Sequence, residues 1–180
     1  VGFFSASSIS HASQALSHFV NNGGKIRLIL GAFSDPADLE AVKEGYRKKE
    51  ISDKIGEELV SMISETADEV FQNRLETLAW LVMHGRLDIK IALRERGMYH
   101  DKVGIITDGS DDKVVFSGSA NESAHALLPT FNYESISVFR TWEPAEARWF
   151  EEHINSFERL WQNQAPSTAV IDIPTALEEK

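Results

Sequence analysis

The sequence contains no cysteine among its 180 residues. This absence excludes disulfide bonds, thiolate zinc sites, iron-sulfur clusters and cysteine nucleophiles. It also fits a reducing compartment, so we expect a cytoplasmic location. No apolar run approaches the roughly 20 residues that a membrane-spanning helix needs, and the first residues do not resemble a basic and apolar signal peptide. We therefore expect neither membrane insertion nor secretion.

The sequence also lacks an excess of positive charge. Its 18 basic and 28 acidic residues give a net charge of -10 at pH 7. That sign is wrong for a protein that binds nucleic acid over its whole surface, so we expect any such binding to be local or assisted by a neighbouring domain. The chain begins at Val1 rather than Met. Its first residues are typical of the second half of a strand, which indicates a fragment of a longer protein.

The overall amino-acid composition is typical of a folded domain. Hydrophobic residues make up 42% of the chain and charged residues 26%. These values are ordinary for a globular protein, and 180 residues are enough to bury a core without disulfides or metals. We expect residues 1–180 to form a single domain.

Hydrophobic periodicity predicts helices and strands in the first half of the chain. A helix should end at Gly23 and Gly24, and a buried strand should follow over residues 26–30. Asp35 and Pro36 predict the start of a second helix. The charged residues 43–53 are expected to form a turn or loop, and residues 55–83 one long helix or two.

The second half is predicted to be richer in strands. Residues 87–93 alternate at period two, and residues 103–106 and 114–116 predict a hairpin around the Asp-rich turn at 108–112. Further strands are expected at 135–139 and 170–173, on either side of a closing helix. We interpret Trp149 and Trp161 on that helix as core residues, not as a platform for stacking bases.

One histidine stands apart from the other five. His100 follows the strand at 87–93 and a basic loop with Arg94 and Arg96, and it lies two residues before Lys102 at the start of the next strand. Alternation at period two places His100 and Lys102 on the same side. Imidazole is a nucleophile that forms covalent intermediates, and lysine supplies a positive charge for phosphoryl oxygens.

A polar segment follows the predicted hairpin. Gly118 would let the backbone approach a ligand closely, and Ser119 and Asn121 would donate hydrogen bonds to a phosphoryl group. Glu134, at the edge of the next strand, would hold the histidine ring in one tautomer. Together these residues indicate a phosphodiester-cleaving site that needs no metal and no cofactor.

The ordered set of motifs resembles the phospholipase D superfamily. Its HKD motif consists of His-x-Lys, four further residues and Asp, and a Gly-Ser-x-Asn segment follows after a second strand. The matching segments here are His100-Asp101-Lys102, then Gly118-Ser119-Ala120-Asn121, then Asn132-Tyr133-Glu134. The chain is especially similar to HKD nuclease-like domains that precede DEAD/DEAH-type or Snf2-type helicase modules in bacteria and archaea.

This resemblance implies an α/β fold with a mixed sheet flanked by helices on both faces. It also implies a metal-independent reaction in which one histidine attacks phosphorus and a second protonates the leaving oxygen. Because this chain has one motif, a homodimer with twofold symmetry would be needed to complete the site. The family aspartate falls at Thr107, and Asp108 comes one residue late, so we leave it out of the catalytic set.

The leading hypothesis is therefore a DNA nuclease linked to a helicase. Its predicted catalytic residues are His100, Lys102, Ser119, Asn121 and Glu134, and Gly118, Arg94 and Arg96 are predicted to bind substrate. One alternative is a silent module of the same fold that dimerises or binds DNA ends. Another is a phospholipid hydrolase, which the short chain and the lack of an apolar surface segment disfavour.

Overall fold

The computed structural model describes residues 3–4, 12–33, 36–55, 74–94, 96–120 and 133–173. Its helices are α1 (Ser13–Asn21), α2 (Pro36–Ile55), α3 (Arg74–Met83) and α4 (Ala147–Trp161). The strands are β1 (Phe3–Phe4), β2 (Ile26–Leu30), β3 (Ala32–Phe33), β4 (Leu87–Arg94), β5 (Val103–Thr107), β6 (Lys113–Gly118), β7 (Ile136–Arg140) and β8 (Thr168–Asp172). This mixture of helices and strands confirms the expected α/β class.

The described strands hydrogen-bond in three groups. β1 pairs with β3, the second group has the order β2-β4-β8, and the third has the order β5-β6-β7. Both pairings of the third group are antiparallel, so the hairpin predicted from residues 103–116 is confirmed. None of the helices in the described ranges is long and apolar enough to cross a membrane.

The chain divides into two compact units. The first comprises Val1–Phe3, Ile29–Ala32 and Lys90–Ile171, and the second comprises Phe4–Leu28, Phe33–Ile89 and Asp172–Lys180. The division passes through β1, β2, β3, β4 and β8, so each of these strands contributes residues to both units. The expectation of a single domain stays a prediction.

In the second unit, α2 packs closely against α3. Val42, Leu78 and Val82 are fully buried. Gly45 is buried too, and a Cβ atom placed there would lie only 2.5 Å from the carbonyl oxygen of Ala79. The two helices approach this closely because α2 has no side chain at that point.

The prediction of a turn or loop at residues 43–53 is wrong, because α2 continues to Ile55. The charged residues there have good helix propensity, and their charges are spaced to form pairs along the helix. Lys43 contacts Glu40 at 2.6 Å and Arg47 contacts Glu44 at 2.9 Å, both at i,i+3 spacing. A dense run of charge therefore forms part of a helix here, and not a loop.

The core of the first unit is built from α4 and from the strands β2, β4 and β8. Ile29, Ala92, Leu160 and Val170 are buried together. Partly buried side chains pack against them, namely Tyr99, Phe157, Trp161 and Ala165. The core interpretation of Trp161 is therefore confirmed.

Trp149 behaves differently. It is 49% exposed, its ring stacks on Phe139 at a centroid distance of 6.2 Å, and the Arg148 guanidinium lies 4.7 Å from the ring centroid. The interpretation of Trp149 as a core residue is wrong, because helical spacing alone does not show where the apolar stripe of a helix ends.

Replacing Gly45 by alanine tests the helix contact. Alanine favours a helix by about 1 kcal/mol over glycine, yet overpacking a tight contact costs about 1–3 kcal/mol. Because the nearest atom is the Ala79 backbone oxygen, we expect Gly45→Ala to lower the free energy of unfolding, measured by urea denaturation. Arg47→Ala, on the exposed side of the same helix, should change it by less than about 0.5 kcal/mol. A stabilised Gly45→Ala protein would contradict the packing.

Replacing Tyr99 tests the core of the first unit. Tyr99→Ala removes a ring that packs on the buried cluster and should cost about 2–4 kcal/mol of unfolding free energy, whereas Tyr99→Phe should cost less than about 1 kcal/mol. Equal losses in the two variants would show that the ring packing contributes little.

The Tyr99 hydroxyl adds a dependence on pH. Burial, with a smaller contribution from the Asp101 charge, raises the pKa of Tyr99 above its ordinary value. In the unfolded chain the Tyr99 hydroxyl ionises near pH 10. Its contribution to stability is therefore complete below that pH and is lost as the pH rises toward the higher pKa of Tyr99 in the folded protein. We expect Tyr99→Phe to lose less stability than the wild type between about pH 9 and 11. An equal loss of unfolding free energy with rising pH in the two proteins would contradict this prediction.

Candidate active site at the β5–β6 hairpin

The segment between β4 and β5 presents His100 to solvent. Tyr99 packs on the buried cluster, and His100 next to it is exposed. Side chains of an extended segment point alternately to opposite sides, so an anchored Tyr99 directs its neighbour outward. The same alternation brings Lys102 to the side of His100, as predicted.

Lys102 and His100 are in direct contact. The Lys102 ammonium nitrogen lies 2.9 Å from Nδ1 and 3.0 Å from Nε2 of the imidazole. The Asp101 carboxylate accepts a hydrogen bond of 2.9 Å from the Lys102 backbone N–H and fixes the backbone between the two side chains. A neutral imidazole keeps one nitrogen lone pair, which nucleophilic attack requires. The contact brings the Lys102 charge next to the ring, whichever nitrogen carries that lone pair.

The antiparallel ladder brings the Gly-Ser segment to the same end of the hairpin. Val103 pairs with Ser117, and one step further the Gly118 N–H donates to the Lys102 carbonyl at 3.2 Å. A Cβ atom at Gly118 would lie 2.0 Å from the Ser135 carbonyl oxygen, so this close approach of β6 to β7 requires glycine. Residues 102 and 118 are therefore neighbours across the ladder.

Ser119 and Glu134 form a second contact pair. The Ser119 hydroxyl donates to the Glu134 carboxylate and accepts from the Ser135 N–H at 3.0 Å. The Ser119 N–H donates to the Ser135 carbonyl at 3.0 Å. Glu134 was expected to hold the ring of His100, and the described contact joins it to Ser119. The role of Glu134 toward histidine stays a prediction.

The remaining predicted site residues lie in different surroundings. The Arg94 guanidinium donates to the Thr168 hydroxyl at 2.8 Å and to the Pro166 carbonyl at 3.5 Å, next to β8. Arg96 is exposed. Asn121 lies outside the described residues. The structure therefore groups His100 with Lys102 and Gly118, and Ser119 with Glu134, while Arg94 contacts the segment that leads into β8.

Asp108 stands at the opposite end of β5. Its carboxylate accepts hydrogen bonds from the backbone N–H groups of Ser110 at 2.8 Å and Asp112 at 3.0 Å. It thus shapes the turn of the hairpin. Six steps along extended chain lead from Lys102 to Asp108, a span of about 20 Å. Its omission from the catalytic set agrees with this geometry.

Sequence reasoning missed Tyr99 as the residue that anchors the histidine. The available signal was an aromatic residue at the alternate position to His100 and Lys102, in a segment without other large buried side chains. In the described ranges, no group of three or more histidine and acidic side chains is arranged to hold a metal ion.

Comparison with known proteins gives one family. The sequence model described as cardiolipin synthase, PLD-like domain matches residues 2–161. No curated protein matches the chain, and no solved structure does. The match includes all three motif segments and almost nine-tenths of the chain, so the chain belongs to the phospholipase D-like domain family.

Proposed function

We propose that this chain is a nuclease that cleaves DNA phosphodiester bonds through a phosphohistidine intermediate. Phosphodiester chemistry is the general activity of the family to which the chain belongs. The observation that carries the proposal is the Lys102 ammonium in contact with both ring nitrogens of an exposed His100, at the end of the hairpin where Gly118 and Ser119 also lie.

In the proposed first step, the lone pair of a His100 ring nitrogen forms a bond to phosphorus. The bond from phosphorus to the leaving oxygen breaks, and that oxygen takes a proton from a second imidazole, His100 of the partner subunit. The Lys102 ammonium stabilises the negative charge of the equatorial oxygens. The Ser119 hydroxyl is proposed to turn its one proton from the Glu134 carboxylate to the same oxygens when substrate binds. Asn121 is proposed to donate to the same oxygens.

In the second step, water attacks phosphorus and the nitrogen-phosphorus bond breaks. The partner subunit's His100, neutral after the first step, takes the proton of the water. The products are a phosphate monoester and an alcohol, and both histidines return to their starting states. The reaction therefore balances with water as the only co-reactant.

The charge of the chain supports a linked domain. A net charge of -10 opposes the approach of the chain to DNA. In the described part of the chain, few basic residues lie near the site to offset that charge. We propose that a helicase module of the full-length protein delivers the DNA strand. Arg94 and Arg96 would then contact backbone phosphates only locally.

Replacing His100 tests the reaction. The wild type, incubated with single- and double-stranded DNA in EDTA, should cleave at least one of them, and His100→Ala should reduce the rate by at least about 10³-fold. His18→Ala serves as the matched control, because His18 is an exposed histidine on α1. Equal cleavage by all three proteins would indicate a contaminating nuclease and contradict the proposal.

The same samples separate the alternatives. DNA binding without cleavage by the wild type would favour a silent module that binds DNA ends. The name of the matching family model refers to a phospholipid enzyme, so vesicles of phosphatidylglycerol and cardiolipin are the matched substrate for the other alternative. Release of lipid headgroups with no DNA cleavage would replace the nuclease proposal.

Mixing tests whether two chains share one site. If each site uses His100 from both subunits, a mixed dimer of wild type and His100→Ala is inactive. Re-equilibrating wild type with a threefold excess of His100→Ala should therefore reduce activity to about a quarter at constant wild-type concentration. Unchanged activity, with subunit exchange verified by a mass tag, would show that one copy of His100 suffices.

A further inference from the structure

A pocket lies where β4 ends and β8 begins, within the first unit. Its volume is about 450 Å³, which is in the range of pockets that hold small organic molecules, and it is open to solvent. The lining residues come from the end of β4, the start of β8 and the turn between α4 and β8, namely Leu93, Arg94, Asn163, Ser167, Thr168 and Ala169.

Arg94 is held in place at this pocket. Its Nη1 group donates to the Thr168 hydroxyl at 2.8 Å and to the Pro166 carbonyl at 3.5 Å. Thr168 is only 9% exposed, so a buried side chain fixes one edge of the guanidinium. Among the described residues, both contacts of Arg94 use Nη1, which leaves the donors of Nη2 and Nε for a ligand. A guanidinium fixed in this way is preorganised to bind a phosphate.

The charges around the pocket favour an anion. None of its described lining residues is acidic, although the chain carries a net charge of -10. The end of α4 lies nearby, and free carbonyl groups there would repel an anion. The last four carbonyl groups, from Glu158 to Trp161, are all hydrogen-bonded within the protein, and the Lys90 ammonium donates to the last of them at 3.1 Å. Arg94 therefore dominates the electrostatics of the pocket.

The turn that lines the pocket has an unusual backbone. Asn163 has a φ of 55° and Ser167 a φ of 53°. This left-handed region is common for asparagine but disfavoured for serine, whose Cβ crowds the following carbonyl. Asn163 fixes the turn, because its Oδ1 accepts a hydrogen bond of 2.8 Å from the Val170 N–H. Disfavoured conformations of this kind cluster at ligand sites.

The pocket shares its support with the candidate active site. Ala165 also lines the pocket, and it packs on the buried cluster that anchors Tyr99 next to His100. Arg94 and His100 are six residues apart, so their Cα atoms are separated by at most about 22 Å. A DNA strand rises 3.4 Å per nucleotide, so a segment of about seven nucleotides or fewer reaches both.

We propose that this pocket binds one nucleotide of the DNA strand on one side of the cleaved bond. The inference rests on the proposed function and adds a substrate site that is separate from the His100–Lys102 pair. Arg94 donates to the phosphate oxygens of this nucleotide, and Leu93 and Ala169 contact its sugar or base. Leu93 is 49% exposed, so the pocket offers an apolar surface beside a cation, as an anion that carries a ring requires.

Titration calorimetry with thymidine 5′-monophosphate tests the pocket. The background is Lys102→Ala, which removes the phosphate contact proposed for the catalytic site. We expect this protein to bind the nucleotide, and an added Arg94→Ala or Ala169→Glu to weaken binding by at least about tenfold, through a lost charge-assisted contact or an opposing charge. The matched controls Arg159→Ala and Ala145→Glu change exposed residues of the same unit outside the pocket and should alter the affinity by less than about twofold.

Other ligands test which chemistry the pocket recognises. Thymidine, inorganic phosphate and glycerol 3-phosphate each lack either the phosphate or the ring, so each should bind at least about tenfold more weakly than thymidine 5′-monophosphate. Equal or tighter binding of glycerol 3-phosphate would indicate a lipid headgroup, and equal binding of inorganic phosphate a simple anion site. Either result would overturn the nucleotide assignment.

The outcomes separate the pocket from the chemistry. No binding to the Lys102→Ala protein, or binding unaffected by Arg94→Ala and Ala169→Glu, would overturn the pocket even if DNA is cleaved through His100. Weakening by these two changes alone, with folding verified by circular dichroism, would support the pocket even if no DNA is cleaved. Equal weakening by the matched controls would overturn it.

The kinetics of cleavage give a second readout. In the otherwise unchanged protein, Arg94→Ala should raise KM for DNA by at least about tenfold and leave kcat nearly unchanged, because the contact is made before and during the reaction alike. A lower kcat with an unchanged KM would contradict a role in binding.

Discussion

The candidate site depends on the antiparallel pairing of β5 with β6. His100 and Lys102 precede one strand, and Gly118 and Ser119 end the other, so only the ladder makes them neighbours. The hydrogen bond from the Gly118 N–H to the Lys102 carbonyl is the last step of that ladder. Two further constraints act at this point. Tyr99 is anchored in the core, and Gly118 has no side chain to collide with the Ser135 carbonyl.

Local sequence patterns predicted the elements that form the site. Alternation and an Asp-rich turn identified the hairpin, and the same alternation placed Lys102 beside His100. The prediction failed at residues 43–53, where pairing of charges along the helix outweighs the appearance of a loop. It also failed for Trp149, because the edge of an apolar stripe depends on which neighbours the helix packs against.

Other features require tertiary structure. The contact of Glu134 with Ser119, the position of Arg94 beside Thr168 and the anchoring of Tyr99 join residues from separate segments. A sequence pattern within one segment does not predict which residues of another segment it will contact.

The chemistry and the ladder meet at Lys102. Its ammonium contacts the proposed nucleophile, and its carbonyl accepts the hydrogen bond of the Gly118 N–H. The proposed function needs a second His100. Two chains of net charge -10 repel one another, and salt screens that repulsion.

The central claim is that His100 forms a bond to phosphorus. Mass spectrometry of protein quenched in alkali during reaction with a slow phosphodiester substrate, such as an aryl ester of thymidine phosphate, tests it directly. Attack by His100 predicts a nucleotidyl adduct on the peptide that contains His100, and this adduct should be lost in His100→Ala. Turnover of the same substrate with no adduct on His100 at any time, or with an adduct on another residue, would contradict it.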